Sequence, residues 1–133
     1  MYLVTTQLST DTARTIARFN EAFRLRDTAA LAEVVHDDCL MVSAQPAPDG
    51  TPYVGKEACV EFWAELMNDT STTFEVEHVF SDGDWATVRW RYRFGPTDAD
   101  SVLGVNVTRV SDGRVIEQLG YTKTPGEALP LPE

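Results

Sequence analysis

The sequence predicts an α+β fold in which helices from the first half of the chain lie across one face of a curved antiparallel sheet built by the second half. Three observations point to it. Apolar residues recur at helical spacing through residue 67, whereas beyond the Asn68-Asp69 break the period is two. Runs of helices followed by runs of strands indicate segregated elements. Residues 104–110 and 115–121 are β-branched runs meeting through Ser111-Asp112-Gly113-Arg114, and Asp-Gly between such runs marks a tight hairpin because Gly accepts a positive φ.

Taken in order, Thr10 or Asp11 can cap a first helix whose Ala13, Ile16, Ala17, Asn20 and Phe23 form one stripe. Asp27 or Thr28 caps a second, residues 29–35, with Leu31, Val34 and Val35 inward. His36-Asp37-Asp38 then turns the chain, with His36 near the negative end of that helix. Residues 39–44 form a brief strand, followed by a loop dense in Pro46, Pro48, Gly50 and Pro52. Residues 55–67 read as a third helix with Cys59, Phe62, Trp63 and Leu66 on its apolar side, Trp63 as core. Four strands follow over residues 72–80, 85–94, 101–110 and 115–123, with turns at Asp82-Gly83-Asp84, Gly95-Pro96 and Asp112-Gly113. A Pro-rich tail, residues 125–133, cannot continue the sheet.

With 133 residues and 43% hydrophobic content, the chain is expected to form a single domain spanning residues 1–133, with its core over about 10–124. A net charge of −10 disfavours nucleic acid and anionic membrane surfaces, which need clustered Lys and Arg. Residues 1–10 lack a basic segment followed by a long apolar run, so the expected location is cytoplasmic. Cys39 and Cys59 stand apart and read as reduced, buried small hydrophobes. His36, Asp37 and Asp38 are adjacent in one turn, which rarely aims three ligands at one ion, so no metal is expected.

Strict parity along the terminal hairpin places Asn106, Thr108, Val110, Ile116, Gln118 and Gly120 on one face. Val105, Val107, Arg109, Val115, Glu117, Leu119 and Tyr121 take the other, which is also largely apolar. A sheet wetted on one side would alternate cleanly between apolar and polar, so both faces should be covered. In the earlier strands Phe74, Val76, His78 and Phe80 share a face, as do Val88, Trp90, Tyr92 and Phe94. Arg89, Arg91 and Arg93 look outward, to pair across strands with Glu75 and Glu77.

The chain resembles the nuclear transport factor 2-like superfamily, specifically its SnoaL-like branch of small bacterial proteins. The resemblance is carried by residues 23–31, by His36-Asp37-Asp38-Cys39, by Tyr53-Val54-Gly55-Lys56-Glu57-Ala58 and by residues 107–117. It implies a cone-shaped, cystatin-like α+β roll with three helices on the concave face of the sheet and one apolar cavity. It also implies a homodimer through the outer face, here Val105, Val107, Leu119 and Tyr121, and no cofactor. The superfamily includes steroid isomerases, polyketide cyclases and epoxide hydrolases. A steroid-isomerase-like site would need titrating groups where Ser43, Phe19 and Asn106 stand, and proton transfer needs a tunable pKa. A cyclase-like site would want a His near Asn106 and an acid near Gly120. An epoxide-hydrolase-like Asp-Arg-Asp group would put acids at Arg91 and Gly120, with Arg89 as its Arg.

The expected inner lining is therefore Ser43, Phe74, Trp90, Tyr92, Asn106 and Gln118, largely aromatic with a few orienting polar groups, as small-molecule pockets are. His78 is the inner-face candidate for an acid or base, with Asn106 and Gln118 hydrogen bonding to a polarised oxygen. The leading expectation is a protein that binds a small apolar organic molecule, with isomerase, cyclase or hydrolase chemistry open. The contrasting one is an accessory or dimerisation domain in which these polar groups satisfy one another in a filled core.

Overall fold

The computed structural model describes residues 2–126 and residue 128. The chain runs through α1 (Tyr2–Arg24), α2 (Thr28–Glu33), β1 (Val35–Val42), β2 (Pro52–Val54) and α3 (Lys56–Asn68). The strands β3 (Thr73–Asp82), β4 (Trp85–Arg93), β5 (Ser101–Ser111) and β6 (Arg114–Thr122) follow. All belong to one six-stranded sheet in the order β2-β1-β6-β5-β4-β3. The expected helices-then-strands segregation holds, with α1 and α3 packed on one face of the sheet. The expected tail lies mostly outside the described residues.

Three elements differ from expectation for local physical reasons. Helix α1 begins well before Thr10 and Asp11, so neither is its cap; Thr12 Oγ1 instead donates to the Gly83 carbonyl at 2.6 Å, tying the helix to the β3–β4 turn. Its buried stripe is Thr12, Thr15, Ile16, Phe19 and Ala22, rotated from the expected one, so Ala13 and Ala17 are exposed. Strand β1 starts at Val35 and includes His36, Asp37 and Asp38, which occupy an irregularity between Val35 and Leu40 where Asp38 N–H donates to His36 Nδ1 at 3.0 Å. Strand β2 was expected as loop.

The sheet is mixed. Strands β3 to β6 form the expected antiparallel meander, but β1 pairs parallel with β6, Met41 opposite Gln118. Sequence periodicity carries no signal for a pairing between segments so far apart. Asp27 caps α2 as expected, its carboxylate accepting from Ala30 N–H at 3.1 Å. The Asp112-Gly113 turn has positive φ at both residues, 54° and 69°, the geometry that a two-residue hairpin loop requires.

Two bulges break the parity on which face assignments rest. In β3, Val76 pairs with Trp90 but His78 pairs with Arg89, so Glu77 is the extra residue and the faces exchange beyond it. Phe74 and Val76 therefore look inward, whereas His78 and Phe80 look outward beside Arg89 and Thr87. In β6, Glu117 pairs with Arg109 and Val115 with Val110, leaving Ile116 as the extra residue. This turns Val115 into the core, where it is fully buried against Val34 and Val35, rather than onto the outer face where alternation had put it.

One core cluster gathers Phe19, Leu31, Met41, Cys59, Trp63 and Met67 between α1, α2, α3 and β1. The other joins Ile16 to Ala86, Val88, Trp90 and Val110 of the sheet. Arg26, held at a φ of 56°, ties the end of α1 to the end of α3 and the start of β3. Its guanidinium donates to the Met67 carbonyl, to the Asp69 carbonyl at 3.0 Å and to the Thr72 carbonyl at 2.8 Å. Charge-assisted bonds of this kind are worth more than ordinary neutral ones. Arg26→Ala should therefore lower the unfolding free energy by about 2 kcal/mol in urea titration; a change below about 0.5 kcal/mol would show that water satisfies these carbonyls equally well.

Candidate functional site

Between the sheet and the helices lies a cavity of about 400 Å³. Helix α1 contributes Phe19, Asn20 and Phe23; α3 contributes Phe62, Trp63 and Leu66; β1 contributes Met41. From the sheet come Phe74, Val88, Trp90, Tyr92, Asn106 and Gln118. Their shared direction follows from register: Val88 stands opposite Asn106, and Asn106 opposite Gly120, so alternate residues of three adjacent strands face the same space. The aromatic residues brace one another, Phe74 packing edge-on to Phe23 at 5.3 Å and to Trp90 at 5.2 Å, and Phe19 to Trp63 at 5.0 Å.

Two glycines shape the wall. A Cβ on Gly104 would stand 2.2 Å from the Trp90 ring, so the indole lies flat on the β5 backbone only because that position has no side chain. A Cβ on Gly120 would meet the Asn106 Oδ1 and the Ala44 amide nitrogen, both at 3.3 Å, so the bare backbone at this position leaves the Asn106 amide its space.

All six expected lining residues, Ser43, Phe74, Trp90, Tyr92, Asn106 and Gln118, are placed at the cavity by the structure. Their polar groups are not equivalent. The Ser43 hydroxyl donates to the Gln45 carbonyl at 2.7 Å and accepts from Thr51 N–H at 3.2 Å, so it is occupied in holding the loop between β1 and β2. Gln118 Nε2 donates to Thr108 Oγ1 at a long 3.4 Å, and its Oε1 has no protein partner among the described residues. Asn106 makes no side-chain hydrogen bond among the described residues and is not bonded to Gln118. The Trp90 indole N–H is buried without an acceptor among the described residues.

His78 does not join them. The bulge at Glu77 turns it onto the exposed outer face, away from the lining, and with it goes the basis for its acid or base role. Among the described residues the lining contains no Asp, Glu, His, Lys or Cys, and its one charged residue is Arg24. Glu21, on the exposed side of α1, pairs with Arg24 through Nε at 3.0 Å and Nη2 at 2.6 Å, hydrogen bonding that pulls the Glu21 carboxyl down and the guanidinium up. Arg89, Arg91 and Arg93 pair across strands with Glu77 and Glu75, as expected.

Sequence reading missed Phe19, Phe23, Met41, Tyr53, Phe62 and Arg24 as lining, because it looked for the wall on the strands. The glycine at position 104, inside a strand run, was a usable sign of close backbone approach. Trp63 is in the core as expected and also forms wall.

Cys39 and Cys59 are fully buried behind this wall, and Cys59 Sγ lies 3.5 Å from the Cys39 carbonyl oxygen and 3.4 Å from that of Tyr53. Burial raises both thiols above the ordinary 9.0, Cys39 the further, with Cys59 beside it as its next cause. A thiol raised on folding stabilises the fold below its unfolded pKa, and that contribution is lost as pH rises towards the folded value. Unfolding free energy should therefore fall above about pH 9, and Cys39→Ala should flatten the fall. An identical alkaline slope in the variant would exclude the thiol as its source.

A small cone of helices on a curved sheet, enclosing one mostly apolar cavity, defines the class, and the matching family is the SnoaL-like domain, whose model covers residues 16–118. The chain belongs to this family, within the nuclear transport factor 2-like superfamily. Among solved structures it is similar to a nuclear transport factor 2-like protein of unknown function from Mesorhizobium loti, 44% identical, with a TM-score of 0.81 over 87% of this chain and 93% of that one. A ketosteroid isomerase, provisionally so assigned, from Kribbella flavida is 17% identical with a TM-score of 0.77, covering 92% and 84%. A polyketide cyclase from Sinorhizobium meliloti, also provisionally assigned, is 22% identical with a TM-score of 0.66, covering 80% and 93%. These two likenesses are of fold alone. No curated protein matches the sequence.

Proposed function

We propose that this protein binds a small, mostly apolar organic molecule bearing at least one oxygen function. The observation that carries this reading is a cavity of about 400 Å³ whose aromatic wall holds a neutral amide, Asn106, with no protein partner among the described residues. Drug-sized ligands occupy sites of this size, lined mainly by apolar groups with a few polar groups that fix orientation. A filled-core accessory domain is disfavoured by the same space and by the absence of an Asn106–Gln118 bond. The fold neighbours provisionally assigned as a polyketide cyclase and a ketosteroid isomerase accord with an organic ligand.

Chemistry in this cavity is confined to what its walls supply. With no carboxylate or imidazole among the lining residues, proton transfer by such a group has no agent. Orientation of a flexible substrate and polarisation of a carbonyl by the Asn106 and Gln118 amides are what the geometry offers. A pericyclic ring closure, in which bonds are exchanged with no net proton transfer, is the reaction class that needs no more.

Thermal-shift screening of rigid hydroxylated and ketonic aromatics should return compounds that raise the melting temperature. For such a compound, Asn106→Leu should weaken binding about 5- to 10-fold while leaving a hydrocarbon analogue within about twofold. Val88→Phe, which sets a ring beside Asn106 and narrows the cavity, should weaken both. Binding of both unchanged in Val88→Phe would place the ligand elsewhere.

The outer face supports a homodimer. Val105 stands opposite Tyr121 and Val107 opposite Leu119 in a single apolar band, with Tyr121 56% exposed. An antiparallel face of this kind is usually either wet and polar or covered. Light scattering should give twice the chain mass, and Leu119→Asp should give the monomer. A monomeric wild-type protein would end the dimer reading.

A further inference from the structure

We propose that the ligand carries an anionic end, a carboxylate in kind, which Arg24 and Asn20 hold at the mouth of the cavity. This rests on the small-molecule reading above and specifies the ligand's chemical class.

The polar groups of the lining fall into two sets. Asn106 and Gln118 are neutral amides on the sheet wall, opposite Val88 and Met41 respectively. Asn20 and Arg24 stand on α1, four residues apart and hence one above the other on a single helix face. Arg24 is in the last turn of that helix, and its side chain is 67% exposed, which puts it at the rim and in contact with water.

The guanidinium is held in a specific way. Glu21 takes Nε and Nη2 from one edge in a bidentate pair, which fixes the plane of the group and leaves Nη1 with no protein acceptor among the described residues. The Asn20 amide likewise makes no side-chain hydrogen bond among the described residues. The Asn20 amide and Arg24 Nη1 thus belong to one face of α1, and both residues line the apolar cavity. Among the described residues the lining contains no carboxylate, and Glu21 engages the other edge of the guanidinium.

The rest of the molecule makes this local device necessary. With a net charge of −10, the protein's long-range field repels anions. An anionic ligand therefore requires a positioned cation at the site, and Arg24 is the cation that the described lining offers. An amphipathic acid, its oxygenated ring system against Asn106 and its carboxylate at the rim, satisfies both ends of the cavity at once.

The test uses a matched pair of fluorescent probes, N-phenyl-1-naphthylamine and 8-anilinonaphthalene-1-sulfonate, which share one skeleton and differ by the sulfonate that stands in for the carboxylate. Both are titrated into the wild-type protein, Arg24→Gln and Arg24→Lys, with Val88→Phe, which narrows the cavity and should weaken both, as the check that the signal arises there. Arg24→Gln should weaken the sulfonate about 5- to 10-fold and leave the amine within about twofold, and Arg24→Lys should recover part of the loss. Equal changes for both probes, or no change for either, would overturn the assignment. Binding of the amine without the sulfonate would overturn it too while leaving the cavity reading intact. Failure of both probes to bind the wild type would remove the cavity reading, and this proposal with it.

Discussion

The cavity depends on strand register more than on any single contact. Three adjacent strands, β4, β5 and β6, stay in phase from Val88 through Asn106 to Gly120, and that phase aims aromatic and amide side chains at the helices rather than at solvent. A slip of one residue would exchange this set for Arg89, Val105 and Leu119. The tight Asp112-Gly113 turn starts the count at one end of the hairpin. The parallel pairing of β1 with β6 brings Met41 and the base of the β1–β2 loop to the same space.

Between register and site stand the glycines. Gly104 allows the Trp90 indole to lie flat and Gly120 leaves space for the Asn106 amide, so two positions without side chains help decide where the indole and an orienting amide sit. On the helical side, Arg26 joins the ends of α1 and α3, and these ends carry Phe23, Arg24 and Leu66 of the wall. Stability and site geometry are thus set by the same few contacts. The family's shared fold does not dictate a reaction, since function resides in the side chains grafted on it. Here those side chains are amides and aromatics where proton-transfer chemistry would need carboxylates or imidazoles.

The bulges divide what the sequence could convey from what it could not. Alternation assigned Phe74, Trp90, Tyr92, Asn106 and Gln118 to the inner face, and the structure puts each there. The same rule failed for His78 and Val115, each lying just beyond an extra residue in its strand. A bulge is a property of the pair of strands, so nothing in β3 alone announces that Glu77 will be unpaired. One misplaced residue was enough to remove the acid–base candidate from the cavity.

Local chemistry determined the Asp27 cap, the Asp-Gly turn, the change of period after residue 68 and hence the fold class, because each depends on residues close together in the chain. Tertiary structure alone decided the parallel β1–β6 pairing, the rotation of α1 that buries Thr12 and Phe19, and the gathering of Asn20, Arg24 and Asn106 around one space. Those features are set by packing between segments distant in sequence, where the free energy of burying one surface against another outweighs the preference of either segment on its own.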